Sequence, residues 1–221
     1  MLESQKLNLL AERVRVYLER SHCGHDFYHT KRVAAIARDL IQFSATPVNQ
    51  FVILAAAYSH DLCRPFEKET GKSHFGQEAL TIIDRELELS NFNSSEREQI
   101  LEVIRYHDIY DYSLIPKLSP ELKIHQDADR LDAIGAIGIA RTFAFGGANG
   151  LPLFIPGQSL EFPDTFVESP EHRTSTIAHF YEKLLKLKEQ MHTERGRQIA
   201  TNRHKLMEDF LEQFFKEWEL N

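Results

Sequence analysis

Cysteine is scarce in this chain. Cys23 and Cys63 are the only two among 221 residues and form no CxxC pair, so neither a disulfide framework nor a cysteine-ligated structural zinc is encoded. Positive charge is in deficit, with 26 Lys and Arg against 33 Asp and Glu and a net charge of −7. A surface that wraps duplex nucleic acid would be basic, so that partner is excluded, although a small basic pocket is not. No apolar run approaches the length of a bilayer span, and the chain opens without a signal-peptide pattern. Reduced thiols in a cytoplasmic protein with no membrane partner is the resulting expectation. Strand-period segments and internal repeats are absent too, which leaves an all-α fold.

What is present is a succession of amphipathic helices. At 42% apolar and 27% charged, 221 residues suffice for one full core, and the chain reads as a single domain, 1–221. Helical spacing predicts helices over about 4–20 and 27–43. In the second, His29 begins the inward stripe His29, Val33, Ile36, Leu40. Thr46-Pro47 reads as the start of a helix through Phe51–Tyr58, and Pro65 as a break leading into a polar loop over 64–73. Ser73 is then read as the cap of a helix over 74–89. Ser95 with Glu98 fits a capping box for 96–108, and Ser119-Pro120-Glu121 opens a helix to about 144. Gly135 and Gly138 in that helix would let a neighbour approach closely. Residues 146–170, rich in Gly and Pro, read as a lid-like loop. Helices over about 172–190 and 194–219 close the chain. The last carries Ile199, Leu206, Phe210, Phe214 and Trp218 as its apolar face, and with Phe215 it offers a surface for a homodimer.

Histidine is the abundant reactive residue: there are eleven, seven of them between positions 22 and 125. The run Phe51–Tyr58 is apolar on every face, so its helix is buried all round, and its end delivers His60-Asp61 to a place poor in water. A buried charge requires a partner or a metal. His29, His74 and His107 fall at helix ends or on inward stripes, while His22 and His25 lie in a loop. Mixed imidazole and carboxylate donors from separate helices suit an open catalytic site for Mn²⁺, Fe²⁺, Co²⁺, Ni²⁺ or Zn²⁺ better than a structural one. Periodicity places Asp127, not Asp129, on the inward stripe of its helix with Ile124, Ala128 and Leu131. Two residues apart, both cannot readily meet one ion.

The order His29 (in His29-Thr30-Lys31-Arg32-Val33), His60-Asp61 and Asp129 (in Ala128-Asp129-Arg130-Leu131-Asp132) resembles the HD-domain superfamily of metal-dependent phosphohydrolases. The run Asp127-Ala128-Asp129-Arg130-Leu131-Asp132-Ala133-Ile134-Gly135 and the segment His179–Leu187 resemble one bacterial branch of small nucleotide phosphohydrolases. This resemblance implies an HD-type helical bundle with a core over about 22–145 and extra C-terminal helices. It makes His29, His60, Asp61 and Asp129 the ligands of one divalent transition-metal cation, with Mg²⁺ on the substrate and room for a second metal near His74 and His107. It also implies a small phosphorylated metabolite as partner, a (deoxy)nucleoside triphosphate cleaved to monophosphate and pyrophosphate being the first expectation. A phosphodiester, a phosphomonoester, a small molecule oxidised at two irons, and nucleotide sensing without turnover are the alternatives.

Asp61 would orient or deprotonate a water, and His107 would bind phosphate or protonate a leaving group. Arg32 (one turn after His29), Lys72 and His74 are the expected substrate contacts. The chain departs from alarmone hydrolases, which place Glu-Asp soon after the HD pair, and from 5′-nucleotidase-like relatives, which place Glu where Arg64 stands.

Overall fold

The computed structural model describes residues 1–19, 21, 24–163 and 175–218. His22, Cys23, the end of the expected lid at 164–170 and the start of the helix expected at 172 lie outside the described residues. Among the described residues there is no strand, and the fold is all-α. The chain divides into two compact units, residues 1–129 and 130–221.

The first unit is built around α3, Gln50–Ser59, nearly every residue of which is buried. It packs against α1 (Glu3–Leu18), α2 (Phe27–Gln42) and α6 (Ser94–Tyr106). Leu10, Val14 and Leu18 of α1 meet Val52, Ala55 and Ala56 of α3 and Ile100, Val103 and Ile104 of α6 in one apolar core. Because α3 presents no polar face, sheathing it on all sides is the arrangement that keeps its apolar surface from water.

Local signals decide where the helices begin. α3 is capped by Asn49, whose Oδ1 accepts from Val52 N, three residues later than the Thr46-Pro47 start read from sequence. The capping box of α6 is Asn93 with Glu96, each side chain bonding the other's backbone N–H, and not Ser95 with Glu98. Both sequences satisfy the motif, and the earlier one sets the register.

Residues 64–73 are not a loop, for Arg64–Thr70 forms α4 and ends at Gly71, φ +71°. Pro65 lies in its first turn, where a missing N–H costs nothing, so the proline starts a helix where a break was expected. α5, Gln77–Leu89, begins at a Gly76 cap, leaving Ser73 and His74 in the preceding turn.

The helix predicted to 144 ends early. α7, Pro120–Asp132, gives way to α8, Gly135–Ala148, at Gly135 with φ +78°. In the second unit α8 packs on α10, Glu194–Trp218. A Cβ on Gly135 would come within 2.9 Å of Arg203 Cγ on α10. One on Gly138 would strike Ala133 O at 2.2 Å, so that glycine admits the chain's own preceding turn and not a neighbouring helix.

The helix expected over 172–190 is, in its described part, α9 (Ala178–Glu182) and a 3₁₀ segment (Leu184–Gln190), separated at Lys183. The buried stripe of α10 is Gly196, Ala200, Met207 and Leu211, with Leu206 and Trp218 exposed. The described part of the loop lies on this unit: Pro152 O and Leu153 O accept from Thr176 N and Ile177 N, and Phe154 packs edge-on to Phe215 and Trp218.

Candidate metal centre

Asp26 caps α2 through Oδ1, which accepts from His29 N at 2.9 Å. That fixes the first turn of α2 and with it His29. His60 ends α3 with its N–H still bonded to Ala56 O, and the chain then turns through Asp61 into α4. Asp129 comes from α7.

Their donor atoms converge. His29 Nε2 lies 3.2 Å from His60 Nε2 and 3.3 Å from both Asp61 Oδ2 and Asp129 Oδ1. His60 Nε2 is 3.6 Å and 3.7 Å from the same two oxygens. Ligands held at the usual bond lengths of a divalent transition metal sit roughly 3.0–3.4 Å from one another. The three distances from His29 fall in that range and the two from His60 lie a few tenths of an ångström beyond it, so a small adjustment of His60 completes a shared site. His60, Asp61 and His29 are buried, and Asp129 keeps 23% side-chain exposure.

Hydrogen bonding sets the tautomers. His60 Nδ1 donates to Ala57 O at 3.1 Å and His107 Nδ1 to Ile104 O at 2.7 Å. Burial pushes both imidazoles below their ordinary value, against the pull of nearby carboxylates, so both are neutral. Each therefore offers a lone pair at Nε2. A lone pair facing two carboxylate oxygens is repelled unless a cation lies among them, and the donor set fits a divalent metal on that ground.

A second group adjoins the first. His74 Nε2 is 3.4 Å from His107 Nε2 and 3.7 Å from Asp61 Oδ1. His74 Nδ1 donates to Glu67 Oε1 at 3.2 Å. Asp61, His74 and His107 thus form a further trio able to hold an ion, as do His25, His29 and Asp61. His107 spends its only N–H on Ile104 O, which suits a ligand or proton acceptor and not the proton donor expected from sequence.

Asp61 joins the two groups. Its Oδ2 accepts from His25 Nδ1 at 2.6 Å and its Oδ1 from Arg64 Nε at 2.9 Å. Burial opposes its ionisation, but Arg64, His25 and His60 outweigh burial and hold it well below the usual carboxylate range. Arg64 also meets Glu67 at 3.0 Å and Asp108 at 3.6 Å. Burial resists ionisation of Glu67 as well, yet His74 and Arg64 bring it down to about 2.

The remaining expected residues divide. Arg32 is half-buried on α2, one turn beyond His29. Lys72 is exposed and tied to Glu78 at 2.7 Å, outside the convergent set. Asp127 is fully buried and belongs to none of the groups His29–His60–Asp129, Asp61–His74–His107 and His25–His29–Asp61. Sequence reasoning passed over His25 as a loop histidine, and over Arg64, Asp108 and His125. Arg64 was accessible as the residue one turn beyond Asp61, and His125 as the one a turn before Asp129.

Residues 26–134 match the HD domain family. The chain is 32% identical to YpgQ of Bacillus subtilis over 94% of its own length and 93% of that protein's. It is 35% identical to an HD-superfamily hydrolase of Bacillus thuringiensis, each chain covered in full, with a TM-score of 0.73. A crystal structure of Bacillus subtilis YpgQ in complex with ADP shares 29% identity and a TM-score of 0.71, covering 98% of this chain and 97% of that one. The chain belongs to the HD-domain superfamily of metal-dependent hydrolases.

Proposed function

We propose that the chain hydrolyses a nucleotide, with a (deoxy)nucleoside triphosphate cleaved to monophosphate and pyrophosphate as the preferred substrate. The observation that carries this is the convergence of His29, His60, Asp61 and Asp129, with the Nε2 lone pair of His60 facing two carboxylates. ADP bound to YpgQ supports a nucleotide as the ligand class.

His29, His60, Asp61 and Asp129 would hold one divalent cation, and His74 with His107 adjoin Asp61 at its other oxygen. Such a cation, when bound, acidifies water and stabilises charge on a phosphoryl group. Asp61 then has a positional task. With Arg64 on one oxygen and His25 against the other, its carboxylate plane is fixed and it stays ionised, a weak base that orients a water by accepting its hydrogen bond. His107 Nε2, neutral and buried, is the proposed proton acceptor. Arg32 is the proposed substrate contact, with Lys72, paired with Glu78, the weaker one. His74, its one N–H given to Glu67, is proposed for the second ion position and not for substrate.

The test is a phosphate-and-pyrophosphate release screen over nucleotides and divalent ions, with His60→Ala and Asp61→Ala as controls. Metal-dependent release by wild type, reduced at least about 1000-fold in both variants, is the expected result. Tight nucleotide binding without turnover under any divalent ion refutes hydrolysis.

A further inference from the structure

His125 is wholly buried on α7, four residues before Asp129 and so on the same face of the helix. Its ring meets His60 edge to face with centroids 5.1 Å apart and His107 at 5.9 Å. It therefore touches one imidazole of each ligand group. His25, Asp129 and Arg64 keep 32%, 23% and 20% side-chain exposure, whereas His60 and His107 are as deeply buried as His125.

The distinctive fact is that neither His125 nitrogen has a hydrogen-bond partner among the described residues. A histidine kept for packing would spend its N–H on a backbone carbonyl, as His60 does on Ala57 and His107 on Ile104. Burial without a partner destabilises the folded chain, and an apolar residue of equal size would relieve that cost. Two unsatisfied nitrogens on a ring packed against His60 and His107 mark a group whose partner arrives with the substrate.

We propose that His125 is a substrate-contacting residue, its ring N–H donating to a phosphoryl oxygen seated between the two imidazole groups. This rests on the phosphohydrolase reading above. No proton is transferred: the hydrogen bond strengthens as charge gathers on that oxygen, so its loss falls on kcat more than on KM.

The experiment compares wild type, His125→Phe and His125→Gln with the fastest nucleoside triphosphate of the screen, under Mn²⁺. Expected are a kcat lowered on the order of 100-fold in His125→Phe with KM within about threefold, and partial recovery in His125→Gln, whose amide restores a donor. Bound Mn²⁺ is expected to be unchanged, and the thermal midpoint of His125→Phe to equal or exceed that of wild type. Unchanged kcat in His125→Phe overturns the proposal. So does a lowered midpoint, a failure to fold or lost Mn²⁺, each of which marks a structural role. A wild type that hydrolyses nothing in the screen overturns the phosphohydrolase reading itself, a result distinct from active wild type with an equally active His125→Phe.

Discussion

The two histidine pairs of the site, His29–His60 and His74–His107, are built alike and endowed differently. Each brings two Nε2 atoms together, at 3.2 Å and 3.4 Å. The first pair meets two carboxylate oxygens, Asp61 Oδ2 and Asp129 Oδ1, within 3.7 Å. Of Asp61 and Asp129, the second pair is shown against only Asp61 Oδ1, and Arg64 Nε already lies 2.9 Å from that oxygen. Imidazoles alone therefore do not rank the two positions. The second carboxylate does: Asp129 adds its charge beside the Nε2 atoms of the first pair, and it favours that pair.

The severest way to break this contrast is to remove charge from the first pair. Asp129→Asn is expected to lower divalent-ion affinity at least about 100-fold, while Asp127→Asn leaves the bound metal at the wild-type level. Metal equivalents after dialysis read the result. Metal lost only from the Asp127 variant would transfer the ligand role to that residue.

That choice shows what sequence could and could not disclose. The HD pair was legible because Phe51–Tyr58 has no polar face, which forces burial of the helix end that follows. His29 was legible as the head of an apolar stripe. Periodicity failed on α7 because almost every residue from Ile124 to Asp132 is buried, so no stripe singles out one aspartate. Asp129 emerged from motif order alone. Arg64 was hidden by a misread proline: taken as a loop residue it had no direction, whereas in the first turn of α4 its guanidinium returns to Asp61. The shifted stripe of α10 has a similar cause, since Phe and Leu drew attention while Gly196, Ala200 and Met207 form the buried line.

A milder intervention sharpens the contrast. Arg64→Gln removes the cation on Asp61 Oδ1, leaving that oxygen to His74 and His107. A second equivalent of Mn²⁺ is expected to bind on the order of tenfold more tightly than in wild type, with Arg64→Lys close to wild type. Calorimetric titration measures both. A second equivalent bound equally by wild type and Arg64→Gln would show that the arginine does not distinguish the pairs.

The smallest effect is expected from pH on the metal-free chain, where both pairs act together. Burial lowers His60, His74, His107 and His125 below the 6.5 of an unperturbed histidine. As pH falls through that value the unfolded chain takes up protons that the folded chain refuses, so stability declines toward acid. Asp61 and Asp129, held low, act in the same direction, but only near and below the ordinary 3.8 of an aspartate. The thermal midpoint of chelator-treated protein is therefore expected to begin falling near pH 6.5, well before the carboxylates titrate. His125→Phe, with one fewer neutral imidazole to defend, should fall less steeply. A midpoint constant down to about pH 4.5 would mean that the folded cluster already accommodates protons, and the lone-pair argument for a cation would fail for both pairs alike.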